Sequence, residues 1–260
     1  MESIANDLLI DVKTGVMTLT LNRPESLNSF SAEIIQGLKD SLTKAKADQS
    51  IRVIILKGAG RAFSAGGDVK RMGSGSPLAT YEHIGKLNEL IVMMDSLEKP
   101  IIAAVHGYAA GAGFNLALAS DLILAEENSK FILSFSKVGL ISDGGGLYFL
   151  PRLIGLNKAK ELFFNAEPLS VEKAHDLGIV NHIYKKNEFE QKVEAYAQKL
   201  AAGPCLSYGF IKKIANQSLN STLEEVLEQE RITQATMVTT NDHHEGVLAF
   251  KEKREPRFNS

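Results

Sequence analysis

The sequence has a single cysteine and no tryptophan, and it lacks long apolar segments. With Cys205 alone the chain can form no internal disulfide, and such sparse use of cysteine is typical of a reducing compartment. The longest apolar stretches, such as Ile101–Val105, have the length of a strand, whereas a membrane helix needs about 20 residues. The first ten residues lack the basic start and apolar run of a signal peptide. We therefore predict a cytoplasmic protein with no membrane partner.

The chain also has no large excess of charge of either sign, because 29 basic and 31 acidic residues leave a net charge of only −2. A field of this size does not gather polyanions, so we predict no nucleic-acid partner. Only His243 and His244 cluster among the histidines, and adjacent helical residues point in different directions, so we predict no metal site. A phosphate-binding loop is missing, and the spacing of the glycines at 107, 111 and 113 does not fit a dinucleotide fingerprint.

Strand and helix patterns alternate in residues 1–185. Apolar runs predict parallel strands at 53–56, 101–105 and 122–125, and alternation predicts a hairpin at the start. Amphipathic patterns predict intervening helices, one of them capped by Ser31 and another from about Tyr81 to Leu97. The sequence therefore predicts an α/β core.

Residues 186–260 are predicted to be entirely helical, with breaks at Gly203-Pro204 and Asn220-Ser221. A helical segment attached to an α/β core can pack on itself or on a neighbouring subunit. We interpret residues 1–185 as the core and 186–260 as an oligomerisation region.

Two loops rich in small residues follow buried strands, one at 63–68 and the other at 107–113. Glycine and alanine allow a ligand to approach the main chain, and the second loop opens into an apolar helix whose N-terminus favours negative charge. Two convergent N–H groups would form an oxyanion hole suited to a thioester carbonyl that becomes an enolate. Taken alone, either loop could instead be a tight turn.

Several segments together, in order and spacing from about Leu8 to Phe258, resemble the enoyl-CoA hydratase/isomerase family, also called crotonases. The segments are Leu21-Asn22-Arg23-Pro24, Ala62-Phe63-Ser64-Ala65-Gly66-Gly67-Asp68, Lys99-Pro100-Ile101-Ile102-Ala103-Ala104-Val105-His106-Gly107 and Asp121. The resemblance implies a ClpP/crotonase-like spiral of ββα units with a C-terminal helical trimerisation region. It also implies a homotrimer or a dimer of trimers. The implied ligand is an acyl-CoA thioester, with coenzyme A as part of the substrate and no permanently bound cofactor.

The resemblance also assigns roles to residues. It places the oxyanion-hole donors on the backbone N–H groups of Gly67 and Ala112. The residues that it implies for coenzyme A binding are Ser26, Leu27, Asn28, Ala65, Gly67, Asp68, Val69 and Lys70, with Phe250 and Lys253 from the terminal helix.

The carboxylate pattern bears on the reaction. Hydratases of this family use two glutamates to hold the water, and Asn115 and Phe135 stand at those positions here. Neither side chain can accept and return a proton. Asp143 is the candidate general base, because its segment resembles those of enoyl-CoA isomerases of the peroxisomal type and of the ring-epoxide isomerase of phenylacetate degradation. This pattern favours an acyl-CoA isomerase that moves a double bond or opens a ring epoxide.

Other interpretations of the same residues stay open. Asp143 could simply cap the helix that follows it, and burial and helix N–H donors would shift its pKa in opposite directions. The alternative functions are an enoyl-CoA hydratase of fatty-acid or aromatic-acid degradation, an aryl-CoA dehalogenase, and a non-catalytic subunit that binds acyl-CoA or RNA. His106 follows a buried strand, and we expect it to form a hydrogen bond within its turn.

Overall fold

A computed structural model describes residues 7–67 and 76–258 of the chain. Nine strands lie in these residues, in two sheets of six and three strands. The strands are β1 (Leu8–Lys13), β2 (Val16–Leu21), β3 (Val53–Gly58), β4 (Ile101–Val105), β5 (Tyr108–Ala110), β6 (Leu122–Glu126), β7 (Lys130–Ile132), β8 (Leu169–Ser170) and β9 (His182–Tyr184). The helices are α1 (Ala32–Ala47), α2 (Pro77–Ser96), α3 (Ala112–Leu118), α4 (Gly146–Ile154), α5 (Leu156–Asn165), α6 (Val171–Asp176), α7 (Phe189–Ala201), α8 (Cys205–Ser218), α9 (Leu223–Met237) and α10 (Asn241–Glu252).

The larger sheet has the strand order β1-β2-β3-β4-β6-β9. The β1–β2 hairpin is antiparallel and all other neighbours in this sheet are parallel, as the alternation of strands and helices predicts. All five residues of β4 are buried, because helices cover both faces of the sheet. Ile54 and Leu56 face the core formed with α1, α2 and α3, whereas Val53 and Ile55 face α7.

Local sequence signals set the ends of the helices. Ser31 caps α1, since its side chain accepts a hydrogen bond from the N–H of Ile34 at 3.1 Å. Helix α2 begins four residues before the predicted start at Tyr81, because Ser76 caps it and Pro77 occupies its first turn. No helix of the described residues is long and apolar enough to cross a membrane.

The smaller sheet, in the order β5-β7-β8, was not predicted from the sequence. Its strands are two or three residues long, too short for a periodic pattern to show. Strand β5 comes almost directly after β4, so the chain turns at Gly107, where φ is +61°. A β-carbon there would lie 2.1 Å from the carbonyl oxygen of Arg61, which only glycine avoids. This turn brings the two glycine-rich loops together.

The last three helices, α8 to α10, surround an apolar groove of about 1250 Å³. Leu227 and Phe250 line it and are exposed in the single chain. Apolar surface of this kind is typical of an interface between subunits. The oligomerisation role of residues 186–260, and the division of the chain at residue 185, stay predictions.

A largely buried ion pair connects α8 to the sheet. The ammonium group of Lys212 lies 2.9 Å from the Asp121 carboxylate and also donates to the carbonyl of Met94 at 2.8 Å. The same carboxylate oxygen accepts from the N–H of Ile101 at 2.7 Å. Burial raises the pKa of Asp121, and Lys212 opposes that effect. Asp121 therefore joins β4, the start of β6 and α8.

We expect Lys212→Met to lower the free energy of unfolding by about 3–5 kcal/mol at neutral pH, because it leaves a buried carboxylate without its partner. Urea unfolding at constant protein concentration measures the change. The matched control is Lys213→Met, whose ammonium lies 3.6 Å from Glu98 in an exposed pair and should change stability by less than about 1 kcal/mol. Equal losses in both variants would contradict the assignment.

Candidate active site

The two glycine-rich loops run side by side. The N–H of Ser64 donates to the carbonyl of Tyr108 at 3.1 Å, and the N–H of Ala110 donates to the carbonyl of Ser64 at 2.8 Å. These bonds form an isolated parallel bridge between Ser64 and Ala109. The two loops, which the sequence placed after separate strands, therefore meet at one end of the larger sheet.

Gly66 lies against the start of α3. Its φ is +79°, and a β-carbon there would lie 2.6 Å from both the Ala110 oxygen and the Ala112 nitrogen. Gly113 is equally confined, because a β-carbon there would lie 2.5 Å from the Ser64 oxygen. Both positions require glycine for this close approach.

The two predicted oxyanion-hole donors, Gly67 and Ala112, therefore both belong to the region where the first glycine-rich loop packs on the start of α3. Gly67 directly follows Gly66, and Ala112 is the first residue of α3. The first hydrogen bond of that helix runs from the Asn115 N–H to the Gly111 carbonyl at 3.2 Å. No acceptor for the N–H of Gly67 or Ala112 is found within the described residues. Their role as donors to a substrate oxygen stays a prediction.

The loop at 26–28, predicted to line coenzyme A, packs directly on the first glycine-rich loop. The N–H of Ala65 donates to the Leu27 carbonyl at 2.8 Å. Asn28 is buried, and its amide donates to the carbonyls of Ala59 and Ala62, both at 2.8 Å. The side chain of Asn28 thus fixes the loop. Contact of Ser26, Leu27, Asn28 and Ala65 with coenzyme A stays a prediction.

The remaining residues predicted to bind coenzyme A divide into two groups. Asp68, Val69 and Lys70 lie outside the described residues. Phe250 and Lys253 lie at the end of α10, where the Phe250 side chain is exposed and Lys253 is the left-handed C-cap residue with φ +55°. Their contribution to binding likewise stays a prediction.

Asp143 lies just before α4, but it does not cap that helix. The N-cap residue is Gly145, and no side chain caps the first turn. Instead, Oδ1 of Asp143 is buried, and no donor within the described residues forms a hydrogen bond to it. The capping interpretation is therefore wrong, because the N-cap position belongs to Gly145 and no side chain bonds to the first turn. Its carboxylate is left available for chemistry.

The environment of Asp143 raises its pKa above the ordinary value of an aspartate. Burial is the largest cause, since it disfavours the charged carboxylate; a hydrogen bond from its own backbone and the charge of His83 lower the pKa by less. The structure thus answers the question of direction that the sequence left open. A raised pKa makes the carboxylate a stronger base than an exposed one.

Apolar side chains surround the segment around Asp143. A β-carbon at Gly144 would lie 3.4 Å from Leu87, and one at Gly145 would lie 3.2 Å from Ile91, so α2 covers the segment. Phe135 lies at the start of α3, with its ring 3.8 Å from where a Gly111 β-carbon would be. Apolar side chains of α2 therefore line the main chain that directly follows Asp143.

Sequence reasoning missed His83 and Leu87, although helical spacing was a signal for them. His83, Leu87 and Ile91 are four residues apart and share one face of α2. His106 forms a hydrogen bond, but not within its own turn as expected: its Nε2 lies 3.0 Å from the carbonyl of Gly60, in the loop after β3. Within the described residues, no group of three or more His, Cys, Asp or Glu side chains could hold a metal.

The sequence model of the enoyl-CoA hydratase/isomerase family matches residues 11–260. The chain belongs to this family. The 1,2-epoxyphenylacetyl-CoA isomerase of Escherichia coli K12 is 39% identical, over 96% of this chain and 97% of its own length. The trans-2-decenoyl-[acyl-carrier-protein] isomerase of Streptococcus mutans is 34% identical, over 97% of each chain.

Solved structures confirm the predicted crotonase fold. The crystal structure of an enoyl-CoA hydratase from Bacillus anthracis superposes with a TM-score of 0.93 at 31% identity, over 97% of this chain and 98% of that chain. Relatives of similar identity are therefore named as isomerases and as hydratases. The chain is an enzyme of the enoyl-CoA hydratase/isomerase family, and the choice between these reactions depends on the residues of its site.

Proposed function

We propose that the protein is an acyl-CoA isomerase, which moves a double bond or opens a ring epoxide in an acyl-CoA thioester. The observation that carries the proposal is the half-buried Asp143 carboxylate, whose Oδ1 is buried without a donor and whose pKa is raised. A carboxylate in this state caps no helix and can act as a base. The isomerase names of two relatives support the same reaction.

The first step uses the two backbone donors. The thioester oxygen accepts hydrogen bonds from the N–H groups of Gly67 and Ala112, which stabilise the negative charge that develops as the enolate forms. These groups are fixed by the packing of Gly66 on α3. They therefore need no reorganisation during the reaction.

The second step uses Asp143 as both base and acid. In a 3-enoyl-CoA the carboxylate removes a proton from C2, between the thioester carbonyl and the double bond, and the electron pair of that C–H bond delocalises into a dienolate. The resulting carboxylic acid returns the proton at another carbon, so the double bond moves and the mass of the substrate is unchanged. Apolar walls around Asp143 hinder loss of the proton to water.

Hydration is disfavoured at this site, because Asn115 and Phe135 occupy the positions of the two hydratase glutamates. The Asn115 amide is fully buried and bonded to the segment around Asp143, and Phe135 is apolar. Neither side chain can activate water. Hydratase activity and non-catalytic acyl-CoA binding are the alternatives that the following experiment tests.

We expect the protein to convert a 3-enoyl-CoA into a product of the same mass. The assay incubates it separately with a 3-enoyl-CoA and a 2-enoyl-CoA, and follows the products by chromatography and mass spectrometry. A product heavier by one water would contradict the isomerase and favour a hydratase. Binding of both thioesters without their conversion would favour the non-catalytic alternative, provided that a ring-epoxide acyl-CoA is not converted either.

A further inference from the structure

The Asn115 side chain forms a bridge between α3 and the segment that carries Asp143. It is fully buried, and its Nδ2 donates to Ser142 Oγ at 2.9 Å and to the main-chain carbonyl of Asp143 at 2.7 Å. A carbonyl can only accept, so the amide nitrogen must be the atom that faces it. One side chain thus holds two consecutive residues that are 27 and 28 positions away.

The other end of the same amide, Asn115 Oδ1, is buried and has no donor within the described residues. An unpaired buried oxygen costs free energy, so the amide is not placed for the best possible set of hydrogen bonds. Oδ1 is pressed against Gly146, where a β-carbon would lie only 2.3 Å away. The same β-carbon would lie 2.6 Å from Ser142 Oγ. A glycine at 146 is therefore a requirement of this bridge.

The bridge also explains why Asp143 does not cap α4. The first N–H groups of a helix attract a carboxylate, and a capping bond would lower the pKa of Asp143 and occupy the base. Glycines at 144 and 145 give the chain the freedom to make such a bond. The two hydrogen bonds from Asn115 instead fix the Ser142 hydroxyl and the Asp143 carbonyl, and that carbonyl also accepts from the N–H of Gly146, the first residue of α4, at 3.2 Å.

We propose that Asn115 is a positioning residue, whose amide holds the Ser142 hydroxyl and the Asp143 carbonyl so that Oδ1 of the Asp143 carboxylate stays buried and unpaired. The catalytic consequence rests on the proposed function, whereas the effect on the carboxylate itself does not. Asn115, at the position of a hydratase glutamate, would then position the isomerase base Asp143 through a hydrogen bond to its main-chain carbonyl.

The test compares Asn115→Leu, which keeps the size of the side chain but removes both donors, with wild type. The pKa of Asp143 is measured by NMR on protein with ¹³C-labelled aspartate, and the resonance is assigned by its loss in Asp143→Asn. We expect the pKa to fall by roughly one unit, because the freed carboxylate gains solvent or helix N–H donors. We expect kcat for isomerisation to fall by about 10- to 100-fold, with little change in KM.

Two further variants separate positioning from general damage. Asn216→Leu removes an amide that bridges α8 to Asp95 at 3.1 Å and 3.3 Å, and it should change neither the Asp143 pKa nor kcat. Ser142→Ala leaves the bond to the Asp143 carbonyl and should have a smaller effect than Asn115→Leu. If Asn115→Leu fails to fold, Asn115→Ala replaces it in the same measurements.

An unchanged Asp143 pKa in the folded Asn115 variant would overturn the proposal, and so would a lowered pKa with unchanged kcat. If wild type is inactive as an isomerase but the pKa falls in the variant, the hold of Asn115 on the carboxylate stands and the proposed function fails. The two failures are therefore distinguishable.

Discussion

Asp143→Asn is expected to lower kcat for isomerisation by about 10²- to 10⁴-fold, the usual contribution of a positioned general base. Asparagine has the same shape but cannot accept the substrate proton, so KM should change little. The measurement is steady-state conversion of a 3-enoyl-CoA at neutral pH. Full activity in this variant would show that another group is the base.

The stability of Asp143→Asn provides the control against simple unfolding. Because burial raises the pKa of Asp143 in the folded state, the ionised carboxylate destabilises that state relative to a neutral group. The variant should therefore be at least as stable as wild type at pH 7. Its advantage should grow as pH rises from about 4, the pKa of an unfolded aspartate, through the raised folded value. Loss of activity together with loss of stability would instead indicate structural damage.

The sheet could be predicted from the sequence because its central strands are continuous apolar runs. Residues 53–56 and 101–105 are buried by helices on both faces, which requires apolar side chains throughout. The three strands of the smaller sheet could not be predicted, since they pair through tertiary contacts and are too short to show periodicity. The start of α2 was wrong by four residues, although Ser76 and Pro77 were visible as start signals.

The candidate site was predicted partly from residue type and partly from the resemblance to the family. Small residues after two strands indicated loops with accessible N–H groups, the resemblance placed the donors at Gly67 and Ala112, and the structure brings the two loops together. The contact between Asn115 and Asp143 was not visible, because it joins residues 28 positions apart through a side chain that has no motif. The direction in which the pKa of Asp143 shifts could not be decided from the sequence either, because it depends on burial next to the side chains of α2.

Replacing Ala112 by lactic acid is expected to lower kcat by about 10²- to 10³-fold, since it exchanges one oxyanion-hole N–H for an ester oxygen. The first residue of a helix makes no intrahelical hydrogen bond through its N–H, so the exchange leaves α3 intact. The measurement is isomerisation of a 3-enoyl-CoA by protein that carries the ester at position 112. A rise in KM with unchanged kcat would mean that this N–H binds the substrate and the transition state equally.

Ala32 provides a matched control for the ester, because it is also an alanine at the first position of a helix, α1, and its side chain is exposed. The ester at Ala32 should leave kcat unchanged, and both proteins should unfold at similar temperatures. Equal activity in the two esters would place the second donor elsewhere. A selective loss at Ala112 would assign the enolate to this helix start, whichever carbon Asp143 protonates.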